Sequence, residues 1–335
     1  MPQGKVTDFQ IYDEEFFGGF SEALEQNSDV FNAGSNGTIV LRPNRLKGHF
    51  ERESFIQNIT DLVTRRDITS VASVDDKAMT QDEFVGVKVN RKIGPVAQTL
   101  DAWRKIGEDQ STMSFTLGQQ IGKAAAVDMA NTAILALVGA ITDLEADAGA
   151  GSAIFDGTAG TPDHANLVDI MAKLGDASGD VACWVMHSKT YFDLMKDGID
   201  KSAEIIQQLA GTTIYTGTTA SLGRPVVVSD SPSLKYDDTG DRYRILGLVP
   251  GAGMVDESEQ QEIVSQLITG NENLGMRVQG EYAYNLKVRG MKWDSGAGGN
   301  NPTDAALNTT DNWVSVMATA VNGIKGGPGS MGLFQ

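Results

Sequence analysis

A helical pattern that runs without a break over residues 112–147 limits the possible folds of this chain more than any other part of its sequence. Apolar side chains recur there in steps of three and four, at Leu117, Ile121, Ala124, Val127, Ala130, Ile134, Leu137, Ile141 and Leu144. At 1.5 Å per residue, the pattern predicts one helix of about 50 Å. Residues 124–141 are apolar enough to suggest a membrane span, but Asp128, Asn131 and Thr132 lie near the middle, which favours a helix of a folded protein.

Residues 68–74 and 84–89 differ from the helical region, because they are rich in β-prone residues. Val85, Val87 and Val89 alternate with polar or small residues, and a polar connection over residues 75–82 separates the two runs. The pattern predicts a β-hairpin. Neither strand has enough apolar residues for a buried sheet of its own, and a lone two-stranded hairpin is marginal in water. We therefore expect the hairpin to rest on another surface, in its own chain or in a neighbour.

The remaining periodicities predict a mixture of helices and strands with no regular βαβ repeat and no internal repeat. A short amphipathic helix is predicted within residues 49–66, and residues before 48 read as an arm of short helical pieces broken at Gly18-Gly19. Further predicted helices cover residues 166–174 and 189–196, and predicted strands cover residues 181–186, 225–229, 243–249, 281–293 and 312–317. Residues 319–335 are rich in glycine, which predicts a flexible C-terminal tail.

Length and charge narrow the class of protein. A chain of 335 residues is near the limit of one compact core, so two or more units or an extended shape is expected. The 44 acidic and 27 basic side chains give a net charge of −17, which argues against a protein whose main task is to grip phosphate backbones. Residues 1–105 hold 16 acidic and 13 basic side chains, so the excess acidity belongs to the rest. The single Cys183 and the absence of a readable signal sequence predict a cytosolic protein without disulfides.

No pattern of catalytic, metal-binding or cofactor-binding residues stands out. His49, His164 and His187 lie far apart and lack the spacing of metal ligands. The glycines at 118 and 122 resemble a phosphate-binding loop, but they fall inside the helical pattern and lack a following Ser or Thr. We therefore predict a protein that is not an enzyme and that needs no cofactor and no metal.

Five short motifs, in order, resemble the major capsid proteins of tailed bacteriophages of the Hong Kong 97 type. They are CWVMHSKTY at residues 183–191 with Leu194, GRPVVVSD at 223–230, LVPGAG at 248–253, VRGMKW at 288–293, and NPT at 301–303 followed by Leu307, Asn312 and Trp313. The resemblance implies an α+β fold of the Hong Kong 97 type, with an N-terminal arm, an extended β-hairpin loop, a long spine helix in a peripheral domain and a mixed α/β axial domain.

The resemblance also implies a division of the chain. The implied parts are the arm at 1–48, the short helix at 49–66, the extended loop at 67–105, the peripheral domain with its spine helix at 106–154, the axial domain at 155–275, the returning peripheral strands at 276–318 and the tail at 319–335. The candidates for contact between subunits are the charged residues in or beside the loop and one in the VRGMKW motif: Asp75, Asp76, Lys77, Lys88, Arg91, Lys92 and Arg289.

The implied function is assembly. The chain would form hexamers and pentamers of an icosahedral shell around double-stranded DNA, in the virion, after assembly in the host bacterial cytoplasm. Its implied partners are other copies of itself, a separate scaffolding protein, a portal and a decoration protein; no membrane is implied. Two alternatives stay open at this stage: the shell protein of an encapsulin-like nanocompartment, and a cytosolic enzyme whose site the motifs do not reveal.

Overall fold

The computed structural model describes residues 7–43, 48–57, 62–99, 101, 110–147, 153–201, 222–237, 241–316 and 323–335. The helices of four residues or more are α1 (Thr7–Gly34), α2 (Gln110–Asp147), α3 (His164–Ala172), α4 (Ser188–Lys201), α5 (Ser295–Gly298) and α6 (Asp304–Leu307). The strands are β1 (Ile39–Pro43), β2 (Phe50–Ile56), β3 (Gln81–Thr99), β4 (Ile154–Gly157), β5 (Cys183–Met186), β6 (Val226–Val228), β7 (Lys235–Asp237), β8 (Asp241–Leu248), β9 (Gly253–Ile268), β10 (Gly275–Val288), β11 (Met291–Trp293), β12 (Trp313–Ser315) and β13 (Gly329–Phe334). Short 3₁₀ turns connect several of them.

Helix α2 confirms the long helix predicted from the spacing and lies at the centre of the larger core. Ile134, Leu137 and Ile141 are at most 1% exposed, and α2 contacts β9, β10 and β12. The span Ser114–Leu144 is long and apolar enough to cross a membrane, yet 67% of its most apolar window is buried inside the protein. Burial by the protein's own sheets accounts for the apolar character of this helix.

Helix α1 packs along α2, and glycines set the distance between them. A Cβ atom added to Gly19 would lie 2.5 Å from the carbonyl oxygen of Phe115, and one added to Gly122 would lie 2.7 Å from that of Phe20. The break predicted at Gly18-Gly19 is therefore wrong, because α1 runs through both residues. Here glycine permits close helix packing, a role that outweighs its low helix propensity.

The larger sheet has the strand order β1-β9-β10-β3-β2, in which β1 pairs parallel to β9 and the other pairs are antiparallel. The helix predicted within 49–66 is wrong, because residues 50–56 form β2 along the edge of β3. The strand predicted at 68–74 is also wrong, since none of those residues joins a strand. The strand predicted at 84–89 is confirmed and is the first half of a 19-residue strand.

The smaller sheet has the order β4-β13-β8-β5-β6, with β7 paired to β8. The prediction of a flexible tail at 319–335 is wrong for its described part, since β13 lies between β4 and β8 and Phe334 is fully buried. Small residues are needed there for close packing: a Cβ at Gly332 would lie 2.5 Å from Cδ1 of Ile170. Residues 319–322 lie outside the described residues.

Two ranges predicted from the sequence differ from the course of the observed strands. Strand β9 lies within the range 155–275 expected for the axial unit, yet it pairs with β10 in the larger sheet, because the two strands form a long antiparallel hairpin. The single strand predicted over 281–293 is divided into β10 and β11 by a turn at Arg289-Gly290, where Gly290 has a φ of +75°. A left-handed conformation of this kind suits glycine and interrupts the ladder.

Candidate intersubunit contact site

The connection between β2 and β3 carries residues 62–79, which we call the exposed segment. None of them belongs to a helix or strand, and all are exposed. Its large apolar side chains are exposed as well, at Leu62, Val63, Ile68, Val71, Val74 and Met79, with relative exposures from 68% to 102%. Three of the predicted contact residues, Asp75, Asp76 and Lys77, lie among them. Six exposed apolar side chains within 18 residues are typical of a surface that a partner covers.

The exposed segment leaves from a well-defined base. Phe55 of β2 stacks on Phe84 of β3 with ring centroids 4.3 Å apart. The backbone N–H of Gln57 donates to the carbonyl oxygen of Thr80 at 2.9 Å, and the Thr80 hydroxyl donates to Oε1 of Gln57 at 2.8 Å. Gln57 also donates through Nε2 to Asp82 at 3.2 Å. These contacts fix the two ends of the connection next to each other.

Lys287 of β10 ties the same hairpin to the rest of the sheet. Its ammonium group forms ion pairs with Glu51 and with Glu53, the latter at 3.1 Å, both on β2. To reach them, the side chain passes over β3 at Gly86, where an added Cβ would lie 2.6 Å from Cγ of Lys287. Burial acts to lower the pKa of Lys287, but the hydrogen bonds and charges of the two carboxylates outweigh it and raise that pKa. No signal in the sequence pointed to this clamp, since Lys287 lies more than 230 residues from Glu51 and Glu53.

Two of the predicted contact residues are used inside the chain instead. Lys88 is 4% exposed, and its Nζ lies 2.7 Å from Oε1 of Glu259. Arg91 donates to Asp128 at 3.0 Å, to Thr132 at 3.0 Å and to Asp304 at 2.7 Å, and so joins β3 to α2 and α6. Both residues are therefore structural in the folded subunit.

The electrostatics around Arg91 agree with that role. Burial acts to lower the pKa of the guanidinium, but Tyr284, Asp304 and Asp128 outweigh it and raise the pKa. Burial, followed by the nearby charge of Asp128, raises the pKa of Tyr282 and that of Tyr284. Both tyrosine hydroxyls donate to Oδ2 of Asp128, at 3.1 and 3.2 Å. The cluster thus holds an ionised Arg91 beside neutral phenols.

The last two predicted contact residues, Lys92 and Arg289, are exposed. Arg289 donates to the carbonyl oxygen of Pro250 at 2.8 Å, which fixes the turn between β10 and β11. The predicted set therefore falls into three places: the exposed segment, the interior of the sheet, and two separate surface positions.

The described residues show few features of a catalytic or metal-binding site. They contain no group of three or more His, Cys, Asp or Glu side chains that could hold a metal ion. Nδ1 of His164 lies 2.7 Å from Asp197, and Nε2 of His187 lies 3.5 Å from Asp230, so each histidine has one carboxylate partner. Burial raises the pKa of the Cys183 thiol to about 11, which leaves it protonated and unreactive at neutral pH.

Comparisons with known proteins agree with a structural role. The model of the Gp13-like family, described as major capsid protein 13-like, matches residues 8–326. No curated protein matches the chain. Among solved structures, a chain of Microbacterium phage Oxtober96 is 11% identical over 90% of this chain and 90% of its own, with a TM-score of 0.51. A chain of the Cyanophage Pam1 capsid asymmetric unit is 11% identical over 86% of this chain and 85% of its own, with a TM-score of 0.50.

At these identities the two structures are similar in fold alone, and they confirm the predicted α+β fold of the Hong Kong 97 type. The family match covers nearly the whole chain and favours a virion shell protein over a nanocompartment shell or an enzyme. The chain belongs to the Gp13-like family of major capsid proteins, the structural, non-enzymatic proteins that associate with one another to form the phage capsid.

Proposed function

We propose that this chain assembles into hexamers and pentamers of an icosahedral shell around double-stranded DNA, with the exposed segment of each subunit lying on a neighbouring subunit. The observation that carries the proposal is the exposure of the segment's apolar side chains, from 68% to 102%. Burial of such side chains on a neighbour is favourable by roughly 25 cal/mol per Å². Because every subunit donates one segment, the gain is repeated around the shell as avidity.

The two sheets correspond to the two proposed domains of the subunit. In this proposal the larger sheet and α2 form the peripheral domain, and the smaller sheet forms the axial domain that meets its copies around the symmetry axes. Asp75, Asp76, Lys77, Lys92 and Arg289 remain candidates for contact between subunits, because all five are exposed. Lys88 and Arg91 leave that set, because Lys88 is buried, Arg91 is only 22% exposed, and both form ion pairs within the chain.

The proposed partners beyond the shell are a scaffolding protein during assembly in the host cytoplasm, a portal and a decoration protein. The net charge of −17 supports the role of a container. Like charge limits adhesion of DNA to the shell, whereas a protein that binds DNA tightly carries clustered Lys and Arg.

Replacement of residues 62–79 by a Gly-Ser linker tests the proposal. The subunit is expected to fold with nearly unchanged thermal stability, because the segment is not packed on its own chain. Particles, measured by light scattering and electron microscopy with scaffolding protein present, are expected to disappear. Efficient assembly of the shortened protein would contradict the proposal.

A matched pair of variants separates apolar from charged contacts. Replacement of Ile68, Val71 and Val74 by Ser is expected to prevent assembly. Replacement of Asp75, Asp76 and Lys77 by Asn, Asn and Gln is expected to permit it, because exposed charges contribute little. The opposite order would show that charge, and not apolar burial, holds the segment.

A further inference from the structure

The larger sheet has an open edge on the side away from the exposed segment. Strand β1 pairs with β9 only from Gly253 to Glu257. Beyond Glu257, no strand in the described part of the chain pairs with the outer edge of β9, which continues to Ile268. A long open edge is a template for an added strand.

Along the open edge of β9, acidic side chains are followed by apolar ones. Its first part carries Glu259 and Glu262, and its second part carries apolar residues, among them Val264, which is 61% exposed. Glu262 lies directly opposite Glu281 of β10 in the ladder. On its other side, Glu281 lies opposite Lys92 of β3, so this row holds two carboxylates and one cation, and a second cation beside Glu262 would balance its charge.

Along the exposed segment, charged residues again precede apolar residues, but here the charged residues are basic. Arg65 and Arg66 come first, and the β-prone run that begins at Ile68 follows. No described strand pairs with this run. The backbone N–H groups of Thr69 and Ala72 donate to the side chains of Asp67 and Ser70, and a ladder would replace these two local bonds. We propose that the exposed segment of one subunit pairs as a parallel strand with the open edge of β9 in a second copy, with Arg66 beside Glu262 and Ile68 beside Val264.

The register follows from the two-residue period of strands. Glu262, Val264 and Gln266 line one cleft, so they lie on one face of the sheet. Arg66 and Ile68 have the same spacing and would share one face. An antiparallel strand with Arg66 at Glu262 would instead direct Ile68 away from Val264, toward the irregular part of β9 between Glu259 and Glu262, so the parallel direction alone matches charge with charge and apolar with apolar. It is also the direction in which β1 pairs with β9.

The positions of donor and acceptor explain why the partner is a second copy. The segment emerges beside β2, at one end of the strand order, and the open edge belongs to β9, with β10 and β3 between them. Two different edges that join head to tail make a heterologous contact, which closes into a ring when the rotation permits. The inference rests on the proposed assembly, and it adds which strand receives the segment and in which register.

A charge exchange tests the pairing. Arg66→Glu and Glu262→Arg are each expected to weaken capsomer formation by about tenfold, since each places like charges side by side. The double variant is expected to recover assembly. Arg66→Glu combined with Glu272→Arg is the control and is expected to stay defective, because Glu272 is exposed but lies beyond the end of β9. Unchanged thermal stability of each variant shows that folding is intact.

Cysteine pairs provide a second measurement in particles. One chain carries Ile68→Cys and another carries Val264→Cys; the native Cys183 is buried. After co-assembly and mild oxidation, a disulfide-linked dimer is expected. It should be absent when Val264→Cys is exchanged for Val127→Cys, which lies at a comparably exposed position on α2.

Particles that form without the linked dimer and without charge rescue would overturn the strand pairing and leave the proposed function intact. If the unmodified chain formed no particles at all, the proposed function itself would be overturned.

Discussion

Residues 84–93 and residues 62–79 both contain several β-prone apolar residues but lie in opposite environments. Val85, Val87 and Val89 of β3 are at most 7% exposed, whereas Ile68, Val71 and Val74 of the exposed segment are at least 82% exposed. Strand β3 has β2 on one side and β10 on the other, while the exposed segment has no neighbouring strand among the described residues. β-propensity therefore identifies residues that can join a sheet, and the partner decides whether they do so within the subunit.

The largest expected effect is that of Val87→Asp. Val87 is fully buried in the larger core, so a carboxylate there would be unpaired and is expected to cost about 4 kcal/mol or more. That is a large part of the roughly 5 to 15 kcal/mol that stabilises a typical domain. We expect insoluble or unfolded protein, measured by soluble yield and by urea denaturation. A stable Val87→Asp subunit would remove the distinction between β3 and the exposed segment.

Arg91→Met is expected to have the next largest effect. Without the guanidinium, the carboxylate of Asp128 keeps only its neutral tyrosine partners, and the expected loss is about 3 kcal/mol. Lys92→Met is the matched control, because Lys92 is the exposed neighbour and should cost less than about 0.5 kcal/mol. If the two variants had equal urea midpoints and only Arg91→Met failed to assemble, Arg91 would be a residue of the contact between subunits and not a structural residue of its own subunit.

Lys287→Met tests the clamp at the base of the exposed segment. Glu51 and Glu53 would lose their shared cation, at an expected cost of about 2 kcal/mol. The raised pKa of Lys287 adds a pH signature: its contribution is complete below the ordinary value of 10.5 and is lost as pH rises through the higher folded value. The unmodified chain should therefore lose stability above pH 10.5 more steeply than Lys287→Met. Identical alkaline unfolding curves would contradict the clamp.

The smallest expected effect on the subunit is that of Val71→Asp. Val71 is fully exposed, so the change in the free energy of unfolding should stay within about 0.5 kcal/mol. Assembly should nevertheless fail, because the carboxylate would enter an apolar contact between subunits. Chemical denaturation of the subunit and light scattering of the assembly reaction measure the two effects separately. A destabilised subunit would place the exposed segment in the core of its own chain.

The predictions from sequence were most accurate where local pattern and burial coincide. The long helix was predicted to within two residues at its start, because its apolar residues recur at helical spacing without a break. Of the predicted stripe, Ile134, Leu137, Ile141 and Leu144 are buried, whereas Ala124 and Val127 are exposed. The strand at Cys183–Met186 and the helix after it were also found, since an apolar run followed by Ser188 is a local signal. The fold class was predicted from five short motifs that occur in the same order as in the capsid proteins they resemble, and the family match confirms it.

The predictions failed where the deciding contact lies far away in sequence. Residues 50–56 resemble a helix locally, but they become a strand because β3 offers an edge and Phe84 offers a ring for Phe55. The glycines of β13 suggested flexibility, yet they permit close packing between β4 and β8. Lys88 and Arg91 looked like surface charges until Glu259, Asp128 and Asp304 were brought beside them.

The amino-acid sequence by itself determined the long helix, the absence of catalytic motifs, the acidic character and the resemblance to capsid proteins, because each is carried by neighbouring residues or by composition. Only the tertiary structure decided which β-prone residues are buried and which remain exposed, and which charges are already paired. Those outcomes depend on contacts such as that between Glu51 and Lys287, across more than 230 residues. The energy of such a contact exists only after the chain has folded and both groups have left water.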